Sequence, residues 1–189
     1  SGTCQSAMIA AGNYENIYVI DSTSVAMGSG ILVELALRLL DEGKSTKEAV
    51  QILEEEKKKI VVVALLDTLE YLKRGGRISK AVAFAGGVLK IKPVLSVTDG
   101  EIHLLGKARG SKMGNNLLVQ EINNVGGIDF GKPILLGYSG ISDALLLKYI
   151  EDSRPIWNGR LEKIRYTTVG SVIGTHAGPG AVVVAFFKN

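Results

Sequence analysis

The stretch IVVVALL, residues 60–66, is an unbroken apolar run rich in β-branched side chains. Such side chains crowd a helix and fit a pleated surface. The run has strand length, and continuous apolarity is what a strand covered on both faces requires. We therefore expect a central strand in a mostly parallel sheet. Its surroundings support helical cover. Upstream, STKEAVQILEEEKKK (residues 45–59) opens on Ser45 with Glu48 three residues later, a capping box. Before it, SGILVELALRLLDEG places Ile31, Leu32, Leu35, Leu39 and Leu40 at helical spacing, with Gly43 as the stop. Residues 3–11 read as a further helix, and NIYVID (residues 16–21) as a short buried strand.

Downstream the texture changes. Residues 67–93 read as two short helices around a Gly75-Gly76 turn. In PVLSVTDGEIHLLGKARG two alternating runs flank Asp99-Gly100, the preferred pair for a two-residue hairpin. A helix over 111–124 follows, then a strand in PILLGYSG and a helix in SDALLLKYIEDS capped by Ser142. Strands in LEKIRYTTVG and GAVVVAFFK come next, joined by the glycine loop GTHAGPGA (residues 174–181), which holds His176. Helices and strands alternate throughout, so the expected class is α/β. The change near residues 66–68 divides the chain into a lobe over 1–66 and a lobe over 67–189. The first has only two expected strands, too few for a covered sheet, so it reads as incomplete. Opening at Ser1, directly on a helix cap, fits a piece of a longer chain.

Hydrophobic residues make up 46% and charged residues 22% of the 189, the balance of a globular protein with a sizeable core. No apolar run approaches the roughly 20 residues of a membrane span, and the first residues lack the basic and apolar regions of a signal peptide. The single cysteine, Cys4, leaves no internal disulfide or cysteine-based zinc site, and fits a cytoplasmic setting. Net charge is only +3, and the charges are intermixed, as in LEEEKKK. With aromatics at 6%, this argues against a nucleic-acid-binding protein.

Four features carry candidate chemistry. MGSGIL invites a dinucleotide reading, but Val33 stands where the third glycine belongs. Gly28 and Gly30 then read as close-packing positions. KRGGRISK gathers Lys73, Arg74, Arg77 and Lys80, and GKARGSK places Lys107, Arg109 and Lys112 before a helix start. Together they read as an anion-facing surface or as solvated turns. GYSGIS falls one residue short of the G-x-S-x-G nucleophile pattern, so Ser139 is set aside as a nucleophile. His176 has no nearby histidine or acidic partner at metal spacing, and His103 lies on the hairpin, so no metal site is expected. It is left as a ligand donor, a structural residue or a general base.

SGTCQSA, VIDSTSVAMGSG, DTLEYLKRGGRIS, KIKPVLSVTDGEI, KARGSK and IGTHAGPGA occur in the order found in the DegV family of bacterial fatty-acid-binding proteins, and the chain resembles that family over its whole length. The resemblance implies a two-lobe α/β protein that binds one long-chain fatty acid between its lobes. It implies a carboxylate held by Ser1 and His176, and a carrier with no catalytic nucleophile and no cofactor. It further implies a separate fatty acid kinase as partner, which phosphorylates the carboxylate to an acyl phosphate. Arg77 and Arg109 match family arginines and are candidates for the kinase or phosphate contact. Met27, Gly28, Phe84, Val88 and Leu89 are candidates for lining the acyl tail, or for plain core. The alternative is an enzyme acting on an acyl or phosphorylated substrate, with His176 as general base.

Overall fold

The computed structural model describes residues 2–78 and 91–189, the Lys163 side chain excepted. The described residues form seven helices: α1 (Gly2–Ala11), α2 (Met27–Asp41), α3 (Thr46–Glu56), α4 (Glu70–Arg74), α5 (Gly110–Asn124), α6 (Ala144–Asp152) and α7 (Ser171–Ala177). Six strands accompany them: β1 (Ile60–Leu65), β2 (Ile91–Thr98), β3 (Glu101–Arg109), β4 (Leu135–Tyr138), β5 (Arg165–Thr168) and β6 (Val182–Phe187). They make one sheet in the order β3-β2-β1-β6-β4-β5.

The apolar run at residues 60–66 is central, as its composition requires, but it lies antiparallel to both neighbours, β2 and β6. Only β4 and β5 are parallel. The sheet is mixed, not mostly parallel. Apolarity on both faces reports cover by helices on both sides, and an antiparallel strand so covered carries the same signature. That cover is visible in the alternation of β6. Val182, Val184 and Phe186 join Val63, Leu65, Leu118, Ile122, Leu146, Tyr149 and Trp157 in a core under α5 and α6. Val183, Ala185 and Phe187 face the other way, into a core with Val62 and with Ile31, Leu35, Leu39 and Leu53 of α2 and α3. A third, smaller cluster of Leu66, Leu69, Leu72, Leu95 and Ala181 seats α4.

Because β1 sits between β2 and β6, the segment before residue 66 contributes a middle strand to the sheet of residues 67–189, and α2 packs on that sheet. The boundary expected at residue 66 therefore falls inside a shared core. Residues 16–21 form no strand. Ile17 and Tyr18 are exposed, and the segment pairs with no strand among the described residues. Strand propensity expresses fit to a half-buried sheet surface, which this segment lacks among the described residues.

Local signals are well kept. In the capping box of α3, Glu48 N–H donates to Ser45 Oγ at 3.3 Å and Ser45 N–H to Glu48 Oε2 at 2.8 Å. α2 ends in a Schellman motif, with Lys44 N–H on Leu39 C=O and Gly43 N–H on Leu40 C=O. Asp99 and Gly100, at φ 52° and 78°, turn β2 into β3 as a type I′ hairpin.

Candidate functional site

Strands β1, β3, β4 and β5 run in one direction and β2 and β6 in the other. Four carboxyl ends therefore gather at one end of the sheet, where open α/β sheets form ligand sites. Helix α7 lies there, between β5 and β6. The stretch expected as a glycine loop is thus helical through Ala177, and His176 stands in the last helical turn. Gly174 is tolerated inside the helix, its N–H donating to Gly170 C=O at 2.8 Å. The helix stops at Gly178, where φ turns to 73°.

The His176 ring rests on α4. A Cβ placed on Gly75 would lie 2.0 Å from His176 Nδ1 and 2.6 Å from Cε1, so only a glycine admits the imidazole there. A Cβ on Gly178 would lie 2.3 Å from Tyr71 Cδ2, so the tyrosine ring covers the helix end in the same way. Nδ1 is buried and has no hydrogen-bond partner among the described residues. A buried polar atom without a partner is unusual and costs about 1–3 kcal/mol. The loop after α7 is tied to the end of β4. Ser139 Oγ donates to Gly178 C=O and accepts from Ala181 N–H at 3.0 Å.

Sequence reasoning singled out His176 but not its seat. Gly75 read as one half of a turn, and Tyr71 carried no signal. Both lie about a hundred residues upstream, so only the fold brings them to the histidine.

Arg77 joins this group. Its guanidinium donates to Gly75 C=O at 2.7 Å, on the residue beneath the imidazole. Arg77 and Ile78 line an open groove of about 740 Å³ with residues 100–104 of the hairpin. His103 is on that groove, apart from His176. Arg109 ends β3 at the same end of the sheet as α7, but β2 and β1 intervene. Three strand spacings put the two regions roughly 14 Å apart. Both arginines are exposed, and neither has a carboxylate partner among the described residues. Lys92 of the same sheet end pairs with Asp67 at 2.5 Å.

Met27 and Gly28, expected along an acyl tail, are closed into the contact between α2 and the sheet. Met27 fills the face of Gly137, where a Cβ would lie 2.3 Å from its Cε. A Cβ on Gly28 would lie 2.5 Å from Val62 Cγ2. Close packing is what the departure from the dinucleotide pattern implied. Ser1, Phe84, Val88 and Leu89 lie outside the described residues. Among the described residues no three acidic, histidine or cysteine side chains are placed to hold a metal ion, and no helix is long and apolar enough to cross a membrane.

The model of the family described as "Uncharacterised protein, DegV family" matches residues 1–189. A DegV domain-containing protein of Caldanaerobacter subterraneus subsp. tengcongensis is 36% identical over 98% of this chain and 66% of its own length. One of Clostridium perfringens is 34% identical over 100% of this chain and 66% of its own. The chain thus spans about two thirds of the curated relatives it matches.

Solved structures agree. A DegV family protein of Eubacterium eligens loaded with heptadecanoic acid superposes with a TM-score of 0.88 at 25% identity, over 100% of this chain and 69% of that one. A fatty-acid-binding DegV family protein of Thermus thermophilus gives 0.82 at 31% identity, over 99% and 67%. The Fatty Acid Kinase (Fak) B3 protein of Streptococcus pneumoniae, loaded with linoleic acid, gives 0.86 at 25% identity, over 100% and 68%.

Proposed function

The chain belongs to the DegV family, and from that premise we propose that it binds a long-chain fatty acid through His176 and presents the carboxylate to a separate fatty acid kinase. The observation that carries this reading is the half-buried imidazole at the carboxyl ends of the strands, seated on Gly75 through Nδ1, which has no partner among the described residues. A ligand carboxylate would accept a charge-assisted hydrogen bond from the part of the ring left uncovered. Most of the affinity comes from the acyl chain, at about 0.8 kcal/mol per buried CH₂. The head group fixes orientation, because a buried carboxylate left unpaired is costly.

Likeness to proteins carrying heptadecanoic and linoleic acid supports the ligand class. Likeness to a Fak B protein supports the kinase as partner. Ser1 is assigned as a second carboxylate ligand, and Phe84, Val88 and Leu89 as tail-lining residues. Met27 and Gly28, also tail-lining candidates, hold α2 against the sheet. Arg77, bonded to the seat of His176, is assigned to the kinase or phosphate contact, with Arg109 on the same end of the sheet. The protein contributes no nucleophile. Ser139 is 2% exposed and its hydroxyl is engaged by the backbone.

Native mass spectrometry of the delipidated protein with added oleate tests the reading. A one-to-one oleate adduct is expected, with affinity reduced about tenfold or more in His176→Ala, the loss of one charged hydrogen bond. His176→Ala should leave thermal stability unchanged or slightly raised, because it removes a buried unpaired atom. Turnover of an acyl substrate by the protein alone, lost in His176→Ala while binding persists, would instead make the imidazole a general base.

A further inference from the structure

Helix α7 is short and has no fully buried residue. Seven residues do not sustain a helix in water, so its position depends on tertiary anchoring. Ile173 and Ala177 give it partial cover. Just before it, buried Val169 donates its N–H to Tyr138 C=O at 2.7 Å, and His176 and Tyr71 pack the helix end against α4. At the C-terminal end the polar contacts converge on one residue. Ser139, at the end of β4, is 2% exposed. Its Oγ donates to Gly178 C=O and accepts Ala181 N–H at 3.0 Å. Its backbone adds two bonds to the same loop: Ser139 N–H to Ala181 C=O at 3.1 Å, and Gly180 N–H to Ser139 C=O at 2.9 Å. Gly178 in turn closes the helix, its N–H donating to Gly174 C=O at 2.8 Å. The hydroxyl thus holds the carbonyl two residues beyond His176 and the amide just before β6.

We infer that Ser139 is a positioning residue for His176: its hydroxyl fixes the end of α7, and so sets the imidazole on Gly75 in the orientation that receives the ligand. The inference rests on reading His176 as the head-group ligand. It gives a role to the serine that stood one residue short of a nucleophile pattern. Without the hydroxyl, Gly178 C=O and Ala181 N–H lose a buried partner. The cheapest relief is for the loop to move, shifting the C-terminal end of α7 while the buried Val169 holds the other end.

The chain has only two histidines, which makes the test selective. In the ligand-free protein, the imidazole proton, nitrogen and carbon resonances of His176 should shift or broaden in Ser139→Ala, while those of His103, on β3, stay in place. Oleate affinity should fall about tenfold in Ser139→Ala, a loss typical of one buried hydrogen-bond partner. It should fall no further when Ser139→Ala is added to His176→Ala, since two residues acting through one contact are not additive. An unmoved His176 signal, or an equal loss in both backgrounds, would overturn the inference. Should Ser139→Ala not fold, Ser139→Cys keeps a weaker donor in similar volume. It should show the same changes at smaller amplitude, and their absence counts equally against Ser139. If the wild-type protein takes up no oleate, the fatty-acid reading fails, whereas the resonance comparison, made without ligand, still decides the role of Ser139.

Discussion

Gly28 and Gly75 pose the same geometric demand in two parts of the molecule. At each, an added Cβ would overlap a neighbour: Ser24 Oγ and Val62 Cγ2 at Gly28, His176 Nδ1 at Gly75. The neighbours differ in kind. Val62 is an apolar side chain of a central strand inside a dry core, with packed atoms behind it. His176 is a polar ring in a short helix at the end of the sheet, its Nδ1 without a partner among the described residues. Gly75 itself has φ −76° and ψ −3°, a conformation any residue adopts. Nothing in the backbone there asks for glycine; only the imidazole does. One glycine serves the joining of layers, the other the seating of an imidazole.

The contrast breaks down if the two substitutions behave alike. Gly28→Ala should have the largest effect. Alanine gains about 1 kcal/mol of helix propensity but forces α2 off the sheet. Overpacking costs about 1–3 kcal/mol in ordinary cores, and a neighbour inside the sheet sits at the upper end. A net loss of about 2 kcal/mol should appear as a lower denaturation midpoint. Gly75→Ala should change that midpoint by less than about 1 kcal/mol, since α4 is at the margin of the fold. Its effect should appear in binding, as about a tenfold loss of oleate affinity from the displaced imidazole. A stability loss at Gly75 as large as that at Gly28 would place the glycine in the core framework rather than the site.

A third, smaller effect sharpens the comparison from the core side. Lys132 bridges Glu56 at 2.5 Å and Asp129 at 3.3 Å, 5.6 Å above the Phe187 ring. Partial burial pushes the Glu56 carboxyl up, but hydrogen bonds from Lys132 and Lys59 outweigh it and hold the group below the usual glutamate range. A lowered folded pKa means that its stabilisation is complete above the unfolded value and lost as pH falls through the folded one. Glu56→Gln should therefore remove a fraction of a kcal/mol of the stability lost below about pH 4.5, and leave oleate binding at neutral pH unchanged. A binding defect in Glu56→Gln would show that this ion cluster reaches the site.

Elements specified by neighbours in sequence could be read from the chain: the capping box at Ser45 and Glu48, the stop at Gly43, and the Asp99-Gly100 turn. Each is a contact within a few residues. Strand direction could not, because Val62 and Val63 are equally apolar beside a parallel or an antiparallel partner. Residues 16–21 misled because Ile17 and Tyr18 have strand composition but no neighbouring strand among the described residues. In the site, His176 stood out as an isolated ionisable group. The helix around it was masked by Gly174, Gly178, Pro179 and Gly180, which punctuate a loop as readily as they end a helix. Gly75, Tyr71 and Ser139 meet it only through long-range packing.

The place of β6 in the sheet has a consequence for how the chain acquires its shape. β1, β2 and β3 form one ladder and β4 and β5 another, and no strand of the first pairs with a strand of the second. Among the described residues β6 alone joins them, although it follows all five in the sequence. Its pairing with β1 closes a loop of more than a hundred residues, from Val61 to Phe186. Contacts of such separation form slowly. During synthesis both ladders leave the ribosome with an unpaired edge facing the vacant central position. Such edges invite mispairing until β6 arrives, so the last strand to be made is also the one that covers the two inner edges.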